Sequence, residues 1–272
     1  MNLLPIPLDN KIVLITGASS GFGADAAQLF AAEGCKVVLA ARRIDRLQAL
    51  AEKIRGEGGE ALAVPVDVAN HNDIENMVRS ALDLYGQVDI LFNNAGFGRM
   101  DWLDKLDPER DIETQVQVNL TGLIQVARAV LPHMLERREG HIINMSSVAG
   151  RIAPPFYSVY SATKFGVRGF TEALRREVSP FGVRVTGVYP AYANTEFSLR
   201  TGRSQSRRKP TPLDSLRMSS EYVARRVVGL AKHPRRSLVI PWWYNLAIGL
   251  NDLTPALMDV VMNRLFTHRY HK

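Results

Sequence analysis

The chain has 272 residues, of which 46% are hydrophobic and 22% charged, with a formal net charge of +7. This composition is typical of a folded, water-soluble protein. The single cysteine, Cys35, excludes an intramolecular disulfide and indicates a reducing compartment, so we expect a cytoplasmic protein. Histidine and cysteine do not cluster at the spacing of zinc ligands, so no metal site is expected. The first residues do not form a secretory signal, and no apolar run is long enough to predict a spanning helix.

Short apolar runs rich in Val and Ile alternate with amphipathic stretches along most of the chain. The apolar runs predict strands buried on both faces, at residues 12–16, 37–41, 61–66, 88–92, 141–145, 183–188 and 238–240. The amphipathic stretches predict helices at about residues 22–33, 43–56, 71–85, 109–136, 157–179 and 219–232. Strand and helix in alternation indicate right-handed crossover units. The sequence therefore predicts an α/β fold with a doubly wound sheet of about seven parallel strands and helices on both faces.

Two regions depart from this alternation. Residues 191–218 follow a strand end, contain Gly, Pro, Ser and Arg, and predict a substrate lid. Residues 241–272 form a C-terminal extension that is apolar and aromatic, then amphipathic, then basic, and they predict a helix packed on the domain or on a neighbouring subunit. The alternative for this extension is peripheral contact with a membrane. No change in composition marks a linker, so we expect residues 1–272 to form one domain.

Positive charge is concentrated between Arg200 and Arg236, where eleven Lys or Arg residues stand against two acidic residues. The simplest interpretation is a solvated loop and helix surface. The alternatives are attraction of an anionic substrate, an acidic membrane surface or an acidic partner. These charges are not interleaved with aromatic residues, and no nucleic-acid-reading motif accompanies them, so nucleic-acid binding is not expected.

A glycine-rich turn, TGASSGFG at residues 16–23, follows the first predicted strand and opens the first predicted helix. Glycines let a diphosphate approach the backbone, and the helix N-terminus supplies free N–H groups and the positive end of the helix dipole. The position of the turn between a first strand and a first helix predicts a dinucleotide site. The predicted cofactor contacts in this turn are Gly17, Ser19, Ser20, Gly21, Phe22 and Gly23.

The end of the second strand bears on the choice of cofactor. NAD-binding sheets usually carry a carboxylate here for the ribose 2′-hydroxyl group, but Ala41 stands at that position and Arg42 and Arg43 follow. Two guanidinium groups without an acid favour a 2′-phosphate, which Arg binds through forked, charge-assisted hydrogen bonds. The alternative is an ordinary pair of surface arginines. We therefore predict NADP(H) as the cofactor.

Two more strand ends carry candidate cofactor contacts: Asp67 and Val68 after the third strand, and Asn94, Ala95 and Gly96 after the fourth. Ligands of such sheets bind at the carboxyl edge of the strands. Asp67 is a candidate acceptor for the adenine amino group, whereas Ala95 and Gly96 are small enough to lie close to the adenosine ribose. Taken alone, each is also compatible with ordinary turn chemistry.

The segment YSATK contains a candidate acid–base pair. Tyr160 and Lys164 are four residues apart, so they share one face of the predicted helix. A phenol titrates at about pH 10. An ammonium group at about 4 Å, at an effective dielectric constant of about 20, contributes at most about 4 kcal/mol. That would lower the pKa of the phenol by up to about three units, towards the pH at which proton transfer is most effective.

Two polar residues extend this candidate site. Ser147 follows the fifth predicted strand, where its hydroxyl group can hold a substrate oxygen. Asn119 lies within a long helical stretch, where a polar residue is normally disfavoured. An exposed surface position is the alternative for Asn119.

The motifs TGASSGFG, DV, NNAG, SS and YSATK, together with Asn119, resemble the short-chain dehydrogenase/reductase family in order and spacing over about residues 8–240. The resemblance implies a single Rossmann-fold domain that interconverts a carbonyl and an alcohol by hydride transfer with NADP(H). It implies that Tyr160 exchanges a proton with the substrate oxygen and that Ser147 polarises this oxygen. It further implies that Lys164 lowers the pKa of Tyr160 and bonds the nicotinamide ribose, and that Asn119 holds a water of a proton relay.

The family pattern is only partly kept after the sixth strand. Pro190 and Thr195 match it, and the resemblance makes them, with Ala193, candidate cofactor contacts. Ala191 replaces the family's glycine, and Tyr192 is placed to intrude on the nicotinamide end. The resemblance also implies a homodimer or homotetramer, formed by the long helices before and after the fifth strand.

The expected substrate is a small molecule, a hydrophobic or aromatic ketone, aldehyde or alcohol. The residues that predict such a pocket are Phe97, Met100, Trp102, Pro154, Pro155, Phe156 and Tyr192. One alternative function is a membrane-peripheral reductase of lipid- or steroid-like carbonyls that uses residues 241–272. Another is a non-catalytic NADP-sensing protein.

Overall fold

The computed structural model describes residues 4–194 and 217–264. The strands within these ranges are β1 (Ile12–Thr16), β2 (Lys36–Ala41), β3 (Glu60–Pro65), β4 (Ile90–Asn93), β5 (Gly140–Met145), β6 (Val183–Pro190), β7 (Ala193–Asn194), β8 (Met218–Ser219) and β9 (Ser237–Ile240). The main helices are α1 (Gly21–Ala32), α2 (Ile44–Gly56), α3 (His71–Tyr85), α4 (Leu123–Arg137), α5 (Ser158–Val178), α6 (Ser220–Lys232), α7 (Tyr244–Leu253) and α8 (Pro255–Met262).

Seven of these strands form one sheet in the order β3-β2-β1-β4-β5-β6-β9. Every neighbouring pair in it is parallel. The predicted doubly wound α/β sheet is therefore confirmed.

Both faces of the sheet are buried under helices, and β1 shows how. Val13 and Ile15 point into a core formed with α1, α2 and α6. Ile12 and Leu14 point into a second core formed with α3, α4 and α5. Because successive side chains of a strand point to opposite faces, a strand covered on both sides must be apolar at every position.

The order in which successive strands join the sheet changes direction at β1, so β2 and β4 lie on opposite sides of it. From β1 the chain proceeds outward through β2 and β3, and it then returns to the other side of β1 with β4. In open α/β sheets this reversal leaves a crevice at the carboxyl ends of the strands, where ligands bind.

Two local features differ from the sequence prediction. The helix predicted at 109–136 is helical throughout but not uniformly α-helical. Wider π-helical turns occupy Pro108–Glu113 and Gln117–Gly122, with an α-helical turn at Thr114–Val116 between them. The ends of the predicted lid also form strands, because β7 and β8 pair with each other in parallel outside the main sheet.

The C-terminal extension begins with two short helices, α7 and α8, and residues 265–272 lie outside the described residues. Ile248 of α7 is buried against Tyr189 of β6 and Val239 of β9, so this helix packs on the domain, as predicted. None of the helices in the described ranges combines the length and the apolar composition that crossing a membrane requires.

Candidate functional site

The glycine turn connects β1 to α1 at the crevice, and it is packed too tightly for larger residues. Gly17 and Gly21 have φ angles of 70° and 54°, a region that favours glycine. A Cβ atom on Gly17 would lie 3.0 Å from Cα of Ala95, and one on Gly23 would lie 2.4 Å from the carbonyl oxygen of Gly17. Phe22 packs against the core beneath the turn. The turn thus brings bare backbone and the first amides of α1 to the carboxyl edge of the sheet.

A small hydrogen-bond network crosses the crevice from β1 to the chain after β4. The hydroxyl group of Thr16 accepts from the backbone N–H groups of Asn94 and Ala95, at 2.9 and 3.0 Å. The side-chain amide of Asn94 donates to the carbonyl oxygen of Thr16 at 3.1 Å. Sequence reasoning missed Thr16, although its position at the very end of β1 is the signal that could have identified it.

The two predicted arginines lie beside the turn but have different partners. Arg43 donates from Nη2 to the hydroxyl groups of Ser19 and Ser20, at 2.9 and 2.8 Å. Arg42 is 68% exposed, and its Nη1 lies 3.8 Å from a carboxylate oxygen of Asp67. The ends of β2 and β3 and the glycine turn therefore meet at one surface, which carries two guanidinium groups.

Asp67 and Val68 close this edge after β3. One oxygen of Asp67 accepts from the N–H of Ala69 at 3.0 Å, which forms a local turn. Val68 is buried. A Cβ atom on Gly122 would lie only 2.5 Å from the carbonyl oxygen of Val68, so the two backbones are closely packed. Both predicted residues thus lie at the carboxyl edge of the sheet.

The four predicted catalytic side chains converge on the other side of the crevice. Tyr160 and Lys164 are buried on α5. The Lys164 ammonium group donates to the carbonyl oxygen of Met145 at 3.0 Å and lies 5.7 Å from the centre of the Tyr160 ring. Ser147 follows β5, forms a side-chain hydrogen bond with Tyr160, and donates to the carbonyl oxygen of Pro190 at 3.4 Å.

Burial dominates the electrostatics of this pair. It raises the pKa of Tyr160 above its ordinary value, against the opposing effect of the hydrogen bond with Ser147. It also lowers the pKa of Lys164 to about 8. The expected lowering of the phenol pKa by Lys164 is therefore not seen in this structure, because withdrawal from water disfavours the charged form of each group. At neutral pH the phenol is protonated.

Asn119 is fully buried, so the alternative of an exposed surface position is wrong. It lies in the π-helical turn Gln117–Gly122, a feature that is frequent at functional sites. Its amide accepts from the N–H of Phe97 at 2.9 Å and donates to the carbonyl oxygen of Phe97 at 2.7 Å. The same amide lies 3.4 Å from the Thr163 hydroxyl group. Asn119 thus ties the chain after β4 to α5.

Gly96 lies between two of the predicted catalytic groups. A Cβ atom on Gly96 would be 3.0 Å from the side-chain oxygen of Asn119 and 3.5 Å from the Lys164 nitrogen. Ser146, which sequence reasoning missed, donates to the carbonyl oxygen of Lys164 at 2.9 Å. The Ser-Ser pair at the end of β5 is the signal that could have identified it. Neighbouring side chains there point in opposite directions, so the two serines reach different partners.

The structure describes only some of the residues predicted as cofactor contacts after β6. Pro190 contacts Ser147 through its carbonyl oxygen, whereas Ala193 lies in β7 and pairs with Met218. Thr195 lies outside the described residues, as does most of the predicted lid. The hydroxyl groups of Tyr192 and Tyr157 are 3.0 Å apart.

An apolar cluster surrounds Tyr160. Met100, Ala149, Phe156 and Tyr157 are buried together with it. Trp102 meets the Phe156 ring edge-on, with a centroid distance of 4.8 Å. Phe156 has a φ angle of 71°, which is rare for a bulky residue and typical of strained backbone near functional sites. The described residues contain no group of three or more His, Cys, Asp or Glu side chains placed to hold a metal ion.

Comparison with known proteins identifies relatives of this arrangement. The family model for short chain dehydrogenase matches residues 11–205. An uncharacterised oxidoreductase from Listeria monocytogenes is 41% identical over 191 residues, which cover 70% of this chain and 77% of the relative. A short-chain dehydrogenase/reductase from Burkholderia phymatum, solved in complex with NAD, has a TM-score of 0.83 at 28% identity, covering 93% of this chain and 96% of its own. A variant of actinorhodin polyketide ketoreductase, solved with NADPH, has a TM-score of 0.78 at 32% identity, covering 86% and 96%.

The sheet and its structural neighbours define a Rossmann-fold oxidoreductase. Within that class, the chain belongs to the short-chain dehydrogenase/reductase family.

Proposed function

We propose that this protein is an NADP(H)-dependent carbonyl reductase or alcohol dehydrogenase in which Tyr160 is the catalytic acid–base. The observation that carries the proposal is the convergence of Tyr160, Ser147, Lys164 and Asn119 beside the glycine turn. A protonated phenol in hydrogen-bond contact with a serine hydroxyl group is suited to donate a proton to a carbonyl oxygen.

The residues at the crevice fit a dinucleotide. Gly17 and Gly23 lie so close to neighbouring backbone that side chains would fill the space, and the N-terminus of α1 offers amides to a diphosphate. Arg42 and Arg43 lie beside the glycine turn and no acid occupies position 41, which supports binding of a 2′-phosphate. Since the neighbours include an NAD complex and an NADPH complex, the preference for NADP(H) rests on these arginines. A bound nicotinamide would supply the hydride.

The protein's own groups then have separate tasks. The Tyr160 hydroxyl group moves a proton to or from the substrate oxygen, and the Ser147 hydroxyl group holds that oxygen. Lys164 places positive charge beneath the ring of Tyr160 and would bond the nicotinamide ribose. Asn119 fixes the chain after β4 and would hold a water next to Lys164.

The cluster around Tyr160 supports a hydrophobic or aromatic substrate. Met100 and Phe156 are buried with Tyr160. The partly exposed Trp102 packs on Phe156, so the surroundings of the reacting hydroxyl group are apolar and aromatic. Pockets of this composition bind apolar groups, and a few polar atoms fix their orientation.

The assembly and the location of the protein are also proposals. Val116 and Phe165 are exposed on the helices expected to pair subunits, which supports a homodimer or homotetramer. The lone thiol of Cys35 is buried, and burial raises its pKa to about 12, which is compatible with the reducing cytoplasm.

Replacement of the phenol tests the proposal. Tyr160→Phe removes the proton donor but keeps the ring, so kcat should fall by about 10²–10⁴-fold. The Kd for NADPH, measured by fluorescence titration, should stay within about threefold, because general acid–base groups act on the reacting oxygen. Turnover is followed through NADPH absorbance with a panel of aldehydes, ketones and secondary alcohols.

Tyr85→Phe is the matched control, since it deletes a phenol hydroxyl group on α3 at the other end of the sheet. This variant should keep full activity. Undiminished turnover by Tyr160→Phe would reject the assigned role. Binding of NADPH without any turnover by the native protein would favour the non-catalytic alternative.

A further inference from the structure

The outward side of the C-terminal helices is unusually apolar. Trp242, Leu246 and Leu253 are 70%, 71% and 83% exposed, and Trp243, Leu250 and Leu257 are also exposed. We call these six residues the C-terminal stripe. Leu246, Leu250 and Leu253 are spaced by four and three residues, so they form one face of α7. Contiguous exposed apolar surface of this kind marks an interaction site.

The opposite face of α7 packs beside the candidate catalytic site. Ile248 belongs to a buried cluster with Val148 and Ile152, the segment that directly follows Ser147. Ala191, which follows Pro190, packs against the same cluster. The C-terminal stripe is therefore carried by a helix whose other face supports the rim of the site.

Charge distinguishes between possible occupants of this face. The chain carries +7, so an anionic surface would attract it. Residues 195–217 contain six Lys or Arg and two acids. The described strands on either side of this segment, β7 and β8, pair with each other, and the N–H of Met218 donates to the carbonyl oxygen of Tyr192. On α7, α8 and the two described residues after them, Asp252 and Asp259 outnumber the exposed Arg264, so the positive charge of the chain lies outside these helices.

The kinds of side chain point the same way. Tryptophan is enriched at membrane interfaces, and amphipathic helices that lie on membranes expose Trp and Leu together with basic residues.

We propose that the C-terminal stripe binds an anionic lipid surface and holds the rim of the candidate site against it. Apolar carbonyl compounds dissolved in the lipid would then reach Tyr160 without crossing water. This second step rests on the proposed function, whereas lipid binding does not.

Co-sedimentation of the full chain with vesicles tests lipid binding. The native protein should sediment with phosphatidylcholine vesicles containing phosphatidylserine, and much less with phosphatidylcholine alone or at high salt. The double variant Leu246→Ser/Leu250→Ser should bind at least about tenfold more weakly, because it removes two exposed leucines that the lipid would bury. Leu4→Ser/Leu84→Ser, which alters two exposed leucines elsewhere, is the matched control and should bind like the native protein.

Two outcomes would overturn lipid binding. One is a native protein that stays in the supernatant with anionic vesicles. The other is full sedimentation of the Leu246→Ser/Leu250→Ser variant with anionic vesicles. Leu253→Ser/Leu257→Ser is a second stripe variant, and it should lose vesicle binding in the same way. A stripe variant that changes only the oligomeric state in analytical ultracentrifugation would assign the stripe to a second copy of the chain instead.

Substrate delivery has its own readout. With vesicles present, the Leu246→Ser/Leu250→Ser variant should lose at least about threefold in turnover of a long-chain aldehyde held in the bilayer, yet keep turnover of a short, water-soluble aldehyde. Retained turnover of the short aldehyde also shows that the variant is folded. Equal turnover of the long-chain aldehyde by both proteins would overturn delivery. Failure of the proposed function would instead appear as no turnover of either aldehyde, with vesicle binding intact.

Discussion

Arg42 is the side chain on which the choice of cofactor can be tested most directly. It is largely exposed, and its contact with Asp67 is a long, exposed ion pair that contributes little to stability. A charge-assisted hydrogen bond to a phosphate contributes about 1.5–3 kcal/mol. Arg42→Ala should therefore raise KM for NADPH about tenfold or more and leave KM for NADH nearly unchanged, as measured by steady-state kinetics with both cofactors.

Two further variants sharpen this prediction. Arg43→Ala should weaken both cofactors, because Arg43 also holds Ser19 and Ser20 of the glycine turn. Arg79→Ala, on the surface of α3, should affect neither. An equal change in both KM values for Arg42→Ala would show that Arg42 does not contact a 2′-phosphate.

Residue spacing predicted which side chains meet but not their environment. Tyr160 and Lys164 were placed on one helix face because four residues make about one turn, and the structure agrees. The packing of α5 against β5 determines two further features. Lys164 donates to the carbonyl oxygen of Met145, and burial shifts the pKa values of Tyr160 and Lys164. Such contacts between distant segments leave no periodic signal in the sequence.

At the scale of elements, the buried parallel strands were the easiest to predict. A strand covered on both faces is apolar at every position, so the apolar run predicts the strand whichever residues pack against it. The π-helical turns around Asn119 were not predicted, because one or two turns are too short for their side-chain pattern to distinguish i→i+5 from i→i+4 hydrogen bonding. The two-residue strands β7 and β8 were missed because strands this short carry no alternation to detect.

Two helical glycines should respond to alanine in opposite ways. A Cβ atom on Gly23 in α1 would lie 2.4 Å from a backbone oxygen of the glycine turn, so α1 or the turn must shift. Gly23→Ala should lower the free energy of unfolding by about 1–3 kcal/mol and weaken NADPH binding. Gly56, which ends α2, has no atom within 4 Å of such a Cβ atom.

Gly56→Ala is therefore the matched control. It should raise the free energy of unfolding by up to about 1 kcal/mol, because alanine loses less conformational freedom in a helix. Urea denaturation measures both variants. Equal effects of the two substitutions would mean that the close packing of the turn does not constrain position 23.

At the scale of the whole molecule, His141 links stability to pH. It is buried on β5, and its Nε2 lies 2.9 Å from the hydroxyl group of Thr186 on β6. That hydroxyl group donates to the carbonyl oxygen of Arg235, so it accepts from Nε2–H. Nδ1 is therefore the nitrogen that would take up a proton, and it has no hydrogen-bond partner among the described residues. Burial, and to a lesser degree Arg184, lowers the pKa of His141 to about 3.

The sign of the pH effect follows from these values. An unfolded chain protonates this histidine below about pH 6.5, whereas the folded protein keeps it neutral down to about pH 3. Between these values the unfolded state binds more protons, so the free energy of unfolding falls as the pH falls, by up to about 1.4 kcal/mol per pH unit. Above pH 6.5 His141 contributes no pH dependence.

Against the opposing effect of burial, hydrogen bonds to its carboxylate also lower the pKa of Asp89 in the folded protein, so acid adds a second loss of stability and the measurement must be a difference. His141→Gln keeps a side-chain N–H for Thr186 but cannot be protonated. Urea unfolding of both proteins from pH 8 to pH 4 should give a constant difference in free energy above pH 6.5, and below it the native protein should lose stability faster. Parallel curves over the whole range would show that protonation of His141 is accommodated in the fold, and that the pairing of β5 with β6 does not depend on a neutral imidazole.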